Sequence, residues 1–94
     1  MKTKKELPEG YRMYITHYRR FPETETYMTR FDASTEGFEQ PLHTGGATEA
    51  SIVNEEGEIV AMGLSLCSER ENFNKKIGRD IAKGRAFKSW GLGE

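Results

Sequence analysis

The chain has 94 residues, a formal net charge of −1, 35% hydrophobic residues and 31% charged residues. This length allows one small domain, and the low hydrophobic content predicts a thin core, for which burial between identical subunits is a common remedy. The nearly neutral charge disfavours a general polyanion-binding protein, so affinity for phosphate must come from locally clustered cations.

Cysteine content and hydropathy indicate the cellular compartment in which we expect the protein. Cys67 is the single cysteine, so no intrachain disulfide can form, and no Cys/His set resembles a zinc site. The charged start MKTKKELPEG lacks the apolar segment of a signal peptide, and no apolar run approaches the ~20 residues of a membrane helix. We therefore expect a cytoplasmic protein with no membrane partner and no cofactor.

The first half of the chain predicts strands and one long loop. Residues 1–9 predict a flexible tail, and YRMYITHYRRF predicts a strand with Met13 and Ile15 on one face and Tyr14 and Tyr18 on the other. ETETYMTRF predicts a second strand. The stretch 32–46, DASTEGFEQPLHTGG, predicts the longest irregular segment, which is either a functional loop or a mobile linker.

The second half predicts a hairpin and a helix. TEASIVNEEGEIVAMGLSLC predicts strands at about 47–54 and 58–66, because NEEGE is typical of a tight turn. Ser68 and Glu71 form a capping-box pattern that predicts a helix over about 69–88. The expected fold is α+β: a small antiparallel sheet with one amphipathic helix packed across it, in a single domain at 10–90 followed by a tail at 91–94.

The predicted helix separates an apolar stripe from a positive one. Its expected buried stripe comprises Phe73, Ile77, Ile81, Gly84 and Phe87, and Asp80 falls in the same sector and would need a partner if buried. Gly78 and Gly84 are unfavourable in a helix interior, so we expect them to provide clearance for close packing or for a ligand.

Ligand-binding residues are predicted from three segments. The predicted phosphate-holding side chains are Asn72, Lys75, Arg79 and Arg85, because cations and amides bind phosphate by charge-assisted hydrogen bonds. The loop His43, Thr44, Gly45 and Gly46 is expected to close the pocket, and Tyr14 or Tyr18 to stack on a base. The alternative for the lysines is an ordinary solvated helix face.

Catalytic patterns are weak in this sequence. Ser65, Cys67 and Ser68 lack the surroundings of a nucleophile elbow or a cysteine protease, and the carboxylates show no metal-ligand spacing. We therefore expect a binding protein rather than an enzyme, with no metal.

The C-terminal half of the chain, residues 45–87, resembles a group of small phage and prophage proteins in which a hairpin precedes a pattern matched here from Cys67 to Ala86. The shared pattern is C-S-x-x-[DE]-x-F-x-K-x-x-G-R-x-I-A-x-G-R-A. Because small phage proteins are often counter-defence factors, the resemblance implies a protein of the host cell cytoplasm that sequesters a nucleotide-like signal. We also expect a homo-oligomer, because identical subunits would supply pocket walls that one thin domain cannot. One alternative is an inhibitor that binds a host defence protein through the basic helix. A lower alternative is an RNA- or DNA-binding module, which the neutral charge disfavours.

Overall fold

The computed structural model describes residues 7–90 as an α+β fold. Its elements are β1 (Arg12–Arg20), β2 (Tyr27–Met28), α1 (Arg30–Thr35), β3 (Thr44–Val53), β4 (Ile59–Asn72) and α2 (Lys75–Trp90). The four strands form one antiparallel sheet in the order β2-β1-β3-β4, and α2 packs across β3 and β4. The predicted fold class is confirmed.

The β3–β4 hairpin is the element most directly encoded by its local sequence. Asn54 Oδ1 accepts hydrogen bonds from the backbone N–H groups of Glu56 and Glu58 at 3.0 and 2.9 Å, and Gly57 takes the left-handed conformation at φ +86°. The turn therefore lies where NEEGE predicts it. Both strands run further than expected at their outer ends, to Thr44 and Asn72.

The segment between β1 and β3 differs from the prediction. The expected second strand is reduced to Tyr27–Met28, and the helix α1 occupies part of the predicted 32–46 loop. Thr29 caps α1 by accepting a hydrogen bond from the Asp32 N–H at 3.1 Å. The sequence signal for this helix was the T-x-x-D pattern at Thr29–Asp32.

The helix α2 begins later than the capping-box pattern predicts. Residues up to Asn72 extend β4, and Ser68 Oγ accepts from the N–H of Arg70 rather than capping a helix. The residue that caps α2 is Asn74, whose Oδ1 accepts from the Ile77 N–H at 3.0 Å. The predicted start at residue 69 is therefore wrong, because pairing with β3 continues past the capping-box serine.

The buried face of α2 also differs from the predicted stripe. Its buried residues are Gly78, Ala82, Ala86 and Phe87, whereas Ile77 and Ile81 are 56% and 41% exposed. The prediction was wrong for the two isoleucines because the helix backbone lies very close to the sheet, where only small residues fit.

Glycines allow this close approach at two places. A Cβ at Gly78 would lie 2.6 Å from Thr48 Oγ1, and a Cβ at Gly63 on β4 would collide with the helix backbone at Ala82 and Ala86. The expected clearance at Gly78 is thus present. A Cβ at Gly84 would meet nothing within 4 Å, so the second close approach is made at Gly63 and not at Gly84.

The core lies between α2 and the sheet. Ala50, Ile52 and Ala61 contact the helix, and Leu7, Tyr11, Met13, Ile15 and Trp90 pack around them. Residues 1–6 of the predicted N-terminal tail and 91–94 of the predicted C-terminal tail lie outside the described residues. Asp80 is exposed and pairs with Lys76 at 3.1 Å, and this hydrogen bond lowers the pKa of Asp80.

Candidate functional site

Phe73, the residue that joins β4 to α2, packs against Arg19 and His17 of β1, and the charges of Lys75 and Arg79 on α2 act on the same histidine. We call this cluster, formed by His17, Arg19, Phe73, Lys75 and Arg79, the Phe73 site. It draws on β1, on the β4–α2 junction and on the first turns of α2. It lies on the sheet face that α2 covers, because Gly78 meets Thr48 there and Thr48 is the cross-strand partner of His17.

Backbone and ring contacts fix the position of Phe73. Its N–H donates to the His43 carbonyl at 2.9 Å, and its ring lies against Gly46, where an added Cβ would come 2.5 Å from Cδ1. Gly46 has φ +122°, so a larger residue would be strained there as well as blocked. Any side chain at position 46 would therefore displace the Phe73 ring.

Two β1 side chains pack on the same ring. The Arg19 guanidinium carbon lies 4.5 Å from the Phe73 ring centroid, a cation–π distance, and His17 meets the ring edge-on with centroids 5.7 Å apart. Arg19 also donates to the Leu42 carbonyl at 3.0 Å. Its Nε is buried and has no hydrogen-bond partner among residues 7–90.

The electrostatics of the site are positive. Burial lowers the pKa of His17, and the nearby charges of Lys75, Arg79 and Arg19 lower it further. Burial also lowers the pKa of Arg19, with a smaller effect from Arg30. Within residues 7–90, no carboxylate lies within 4.0 Å of the Lys75 ammonium, and the only one near Arg79 is Asp80 at 3.9 Å. The cluster is therefore short of negative charge and suits an anion.

Several of the sequence-predicted residues meet at this site. Asn72 is the cross-strand partner of Thr44, so the predicted phosphate-binding and loop segments adjoin each other. Lys75 and Arg79 lie one helical turn apart, near His17. The segment from Thr44 to Gly46 is not a loop that closes over a pocket, however. It is the start of β3, irregular in register, with Gly45 and Gly46 buried.

Three predicted residues lie elsewhere. Arg85 donates to the Leu64 carbonyl on the edge strand β4 at 2.7 Å, more than two helical turns from Lys75. Tyr14 and Tyr18 project from the opposite face of the sheet, since β1 side chains alternate and His17 lies on the helix face. Tyr18 donates to Glu49 at 3.1 Å, and its pKa is raised by burial and by that carboxylate.

The sequence reasoning missed His17, Arg19 and Phe73 as site residues. A usable signal for the first two was present, because the alternation that places Met13 and Ile15 on the inner face extends to positions 17 and 19. Phe73 was assigned to the helix stripe. Its role follows from the late helix start, which could be found only from the extent of β4.

A cavity of ≈ 140 Å³ adjoins the site on its β4 side. It lies between the first two turns of α2 and the end of β4, with Ile77 and Ile81 forming an apolar side and Asn72 and Asn74 a polar one. Cys67 also lines it and is half-buried, with its Sγ 3.4 Å from the Glu71 carbonyl. Asn72 is the predicted site residue that this cavity includes.

Residues 7–90 contain no group of three or more His, Cys, Asp or Glu side chains placed to hold a metal ion. Over the same residues, no helix is both long and apolar enough to cross a membrane. No protein-family model matches the chain, and neither the curated proteins nor the solved structures contain a match to it.

Proposed function

We propose that this chain is a non-catalytic binding protein for a nucleotide-like anion, with the phosphate groups held at the Phe73 site. The observation that carries the proposal is that Lys75, Arg79 and Arg19 all act on the charge of His17, with little negative charge nearby. An anion would stabilise such a cluster, because the like charges of Lys75, Arg79 and Arg19 repel one another and Arg19 is also partly buried.

The arrangement of cations at the Phe73 site favours a ligand phosphate as the bound anion over a side-chain carboxylate from elsewhere in the chain. Lys75 and Arg79 present an ammonium and a guanidinium on one flank of α2, and both can donate to the same phosphate group. The N-terminus of α2 adds a partial positive charge close to Lys75. Asn72, beside Thr44 at the end of β4, supplies an amide for a further polar contact.

Tyr14 and Tyr18 do not stack on the base of a ligand that is bound to the same chain. Both side chains lie on the far face of the sheet, so they cannot contact a ligand held by Lys75 and Arg79 of the same chain. The Phe73 ring is already packed by Arg19, His17 and Gly46. The ligand is therefore recognised mainly through its charge.

The biological role follows the resemblance to small phage proteins. In this role the protein sequesters a signalling nucleotide of the host as a counter-defence factor, in the host cytoplasm and as a homo-oligomer. Binding without turnover suits sequestration, because the ligand is removed in proportion to the amount of protein made.

The test is a thermal-shift and calorimetric screen against linear, cyclic and ADP-ribose-type nucleotides, with pyrophosphate as a minimal anion. We expect stabilisation by a small subset, and loss of about tenfold or more in affinity on Arg79→Ala or Lys75→Ala. Arg12→Ala is the matched control, because Arg12 is exposed at the start of β1 on the opposite face.

Three results would overturn this function. The first is no shift with any of these compounds. The second is equal loss in Arg12→Ala, which would indicate non-specific charge. The third is capture of one acidic host protein that depends on Lys75 and Arg79, which would favour the inhibitor alternative. Binding to RNA or DNA would instead weaken steeply with salt for all sequences.

A further inference from the structure

The edge strand β4 carries its large apolar residues on the face away from the helix. Beneath α2 it presents Ala61, Gly63 and Ser65, all buried. The alternate residues Met62, Leu64 and Leu66 point to the other face and are 44%, 46% and 69% exposed. An antiparallel sheet with one wet face normally shows the reverse pattern, with polar residues outward.

The neighbouring strands extend this apolar surface. Tyr14 on β1 lies in one cross-strand row with Ser51 and Met62 and is 52% exposed. Ile59, paired with Val53, lies on the same face and is 58% exposed. We call the surface formed by Tyr14, Ile59, Met62, Leu64 and Leu66 the open face.

The open face has the size and composition of an interface core. With about 200 Å² for a fully exposed large side chain, its five residues expose roughly 500 Å² of surface. That is near the upper end of patches on monomers. The polar residues of the same face, Arg12 and Thr16 on β1 and Glu49 and Ser51 on β3 beside the apolar β4 residues, would bring the covered area towards the ~800 Å² per partner of a standard interface.

We propose that the open face is covered by a second copy of this chain, with the two β4 strands stacked around a two-fold axis near Leu64. The result is a four-layer α/β/β/α dimer, in which two sheets pack face to face and share one core. A two-fold axis sets the same patch against itself, so uncharged Met62, Leu64 and Leu66 meet their own counterparts without repulsion.

Two observations favour this partner and this arrangement. The three outward β4 residues Met62, Leu64 and Leu66 are uncharged, and the one cation of β4, Arg70, lies beyond them near the end of the strand. This stretch of β4 therefore offers nothing to nucleic acid phosphates or acidic lipid headgroups. Arg85 donates a hydrogen bond to the Leu64 carbonyl and so occupies a backbone acceptor of the edge strand. This disfavours edge-to-edge pairing of two β4 strands. Face-to-face stacking of the two sheets is the arrangement that remains. The Phe73 site lies on the opposite face and stays accessible, so this proposal does not depend on the proposed ligand.

Analytical ultracentrifugation tests the proposal. The full chain should sediment as a dimer, and Leu64→Glu should raise the dimer dissociation constant by about 30-fold or more, since it places two carboxylates at the axis. Ile77→Glu is the matched control, because Ile77 is also an exposed apolar residue but lies on the helix side. Circular dichroism of each variant checks that the monomer is folded.

Mixing variants tests the two-fold pairing directly. Leu64→Glu and Leu64→Lys should each be monomeric alone and should form a heterodimer when mixed, because opposite charges then face each other. The proposal is overturned if the wild-type chain is monomeric at its highest soluble concentration, or if Ile77→Glu disrupts the dimer more than Leu64→Glu. Flotation of the wild-type chain with neutral lipid vesicles, lost in Leu64→Glu, would assign the open face to a membrane and also overturn it.

Discussion

At the scale of single residues, the pKa of His17 depends most directly on the charges of the Phe73 site. It lies between a buried hydroxyl and three cations: its Nδ1 is 2.9 Å from Thr48 Oγ1, and Lys75, Arg79 and Arg19 act on its charge. A neutral imidazole suits this position, since a fourth positive charge would be repelled.

The lowered pKa of His17 makes stability depend on pH. Between the folded pKa and the ordinary value of 6.5, the unfolded chain binds more protons than the folded one, so the free energy of unfolding rises with pH across that window. The stability contributed by keeping His17 neutral should therefore be fully present above pH 6.5. It should be lost as the solution is acidified from pH 6.5 through the folded pKa of His17. Urea unfolding midpoints measured from about pH 5 to pH 7 give this slope.

A matched pair of variants assigns the pH effect. His17→Asn keeps a hydrogen-bonding group near Thr48 and should flatten the pH dependence, whereas His43→Asn, at an exposed side chain, should leave it unchanged. A slope that survives in His17→Asn would contradict the assignment. A bound phosphate should also raise the pKa of His17, which NMR titration of the imidazole would detect.

At the scale of elements, local signals predicted the hairpin well and the helix only in part. The turn at Asn54–Glu58 forms from hydrogen bonds among neighbouring residues, so its sequence suffices. The buried side of α2 is set instead by how closely the helix approaches β4. Helical periodicity shows that a buried stripe exists, and hydrophobicity alone would assign Ile77 and Ile81 to it. In the structure, Gly78 and Ala82 are buried instead, because only small residues fit where the helix approaches the sheet so closely.

Gly63, which lies at this contact, and Gly84, which lies on α2 away from it, should respond oppositely to alanine. Gly63→Ala places a methyl group against the α2 backbone at Ala82 and Ala86 and should destabilise the fold by about 1–3 kcal/mol. Gly84→Ala adds a methyl group to an exposed helix position with open space and should stabilise by up to about 1 kcal/mol. Chemical denaturation of both variants measures the difference. Equal effects would show that α2 does not pack on β4 at this distance.

At the scale of the whole molecule, the candidate site could not be predicted from any one segment of the sequence. His17 and Arg19, the turn into β3 at His43 and Gly46, and the junction at Phe73 come from separate parts of the chain. Each segment shows its own alternation or helix pattern, but the pairing register that brings Thr44 beside Asn72 depends on the length of β4. The basic helix N-terminus and the inner face of His17 and Arg19 were therefore predictable, but the register that brings them together was not.

The fold also divides into regions of unequal packing. The segment 22–42 contains only the two-residue strand β2 and the short helix α1, whose one buried residue is Ala33. It is anchored by Phe38 near Phe21, with ring centroids 6.3 Å apart, and by the Leu42 N–H donating to the Arg20 carbonyl. β3 and β4, by contrast, are paired along most of their length and covered by α2.

This contrast predicts local opening of residues 22–42 without loss of the sheet. Few buried groups hold the segment, so its amides should exchange with solvent at least about 100-fold faster than those of β3, as measured by hydrogen–deuterium exchange with mass spectrometry. Phe38→Ala removes one of its anchors and should accelerate exchange in 22–42 alone. The matched change Phe87→Ala, in the core beneath α2, should accelerate exchange in β3 and β4 as well. If Phe38→Ala speeds exchange throughout the sheet, the segment and the sheet unfold as one unit, and the separation proposed for them is wrong.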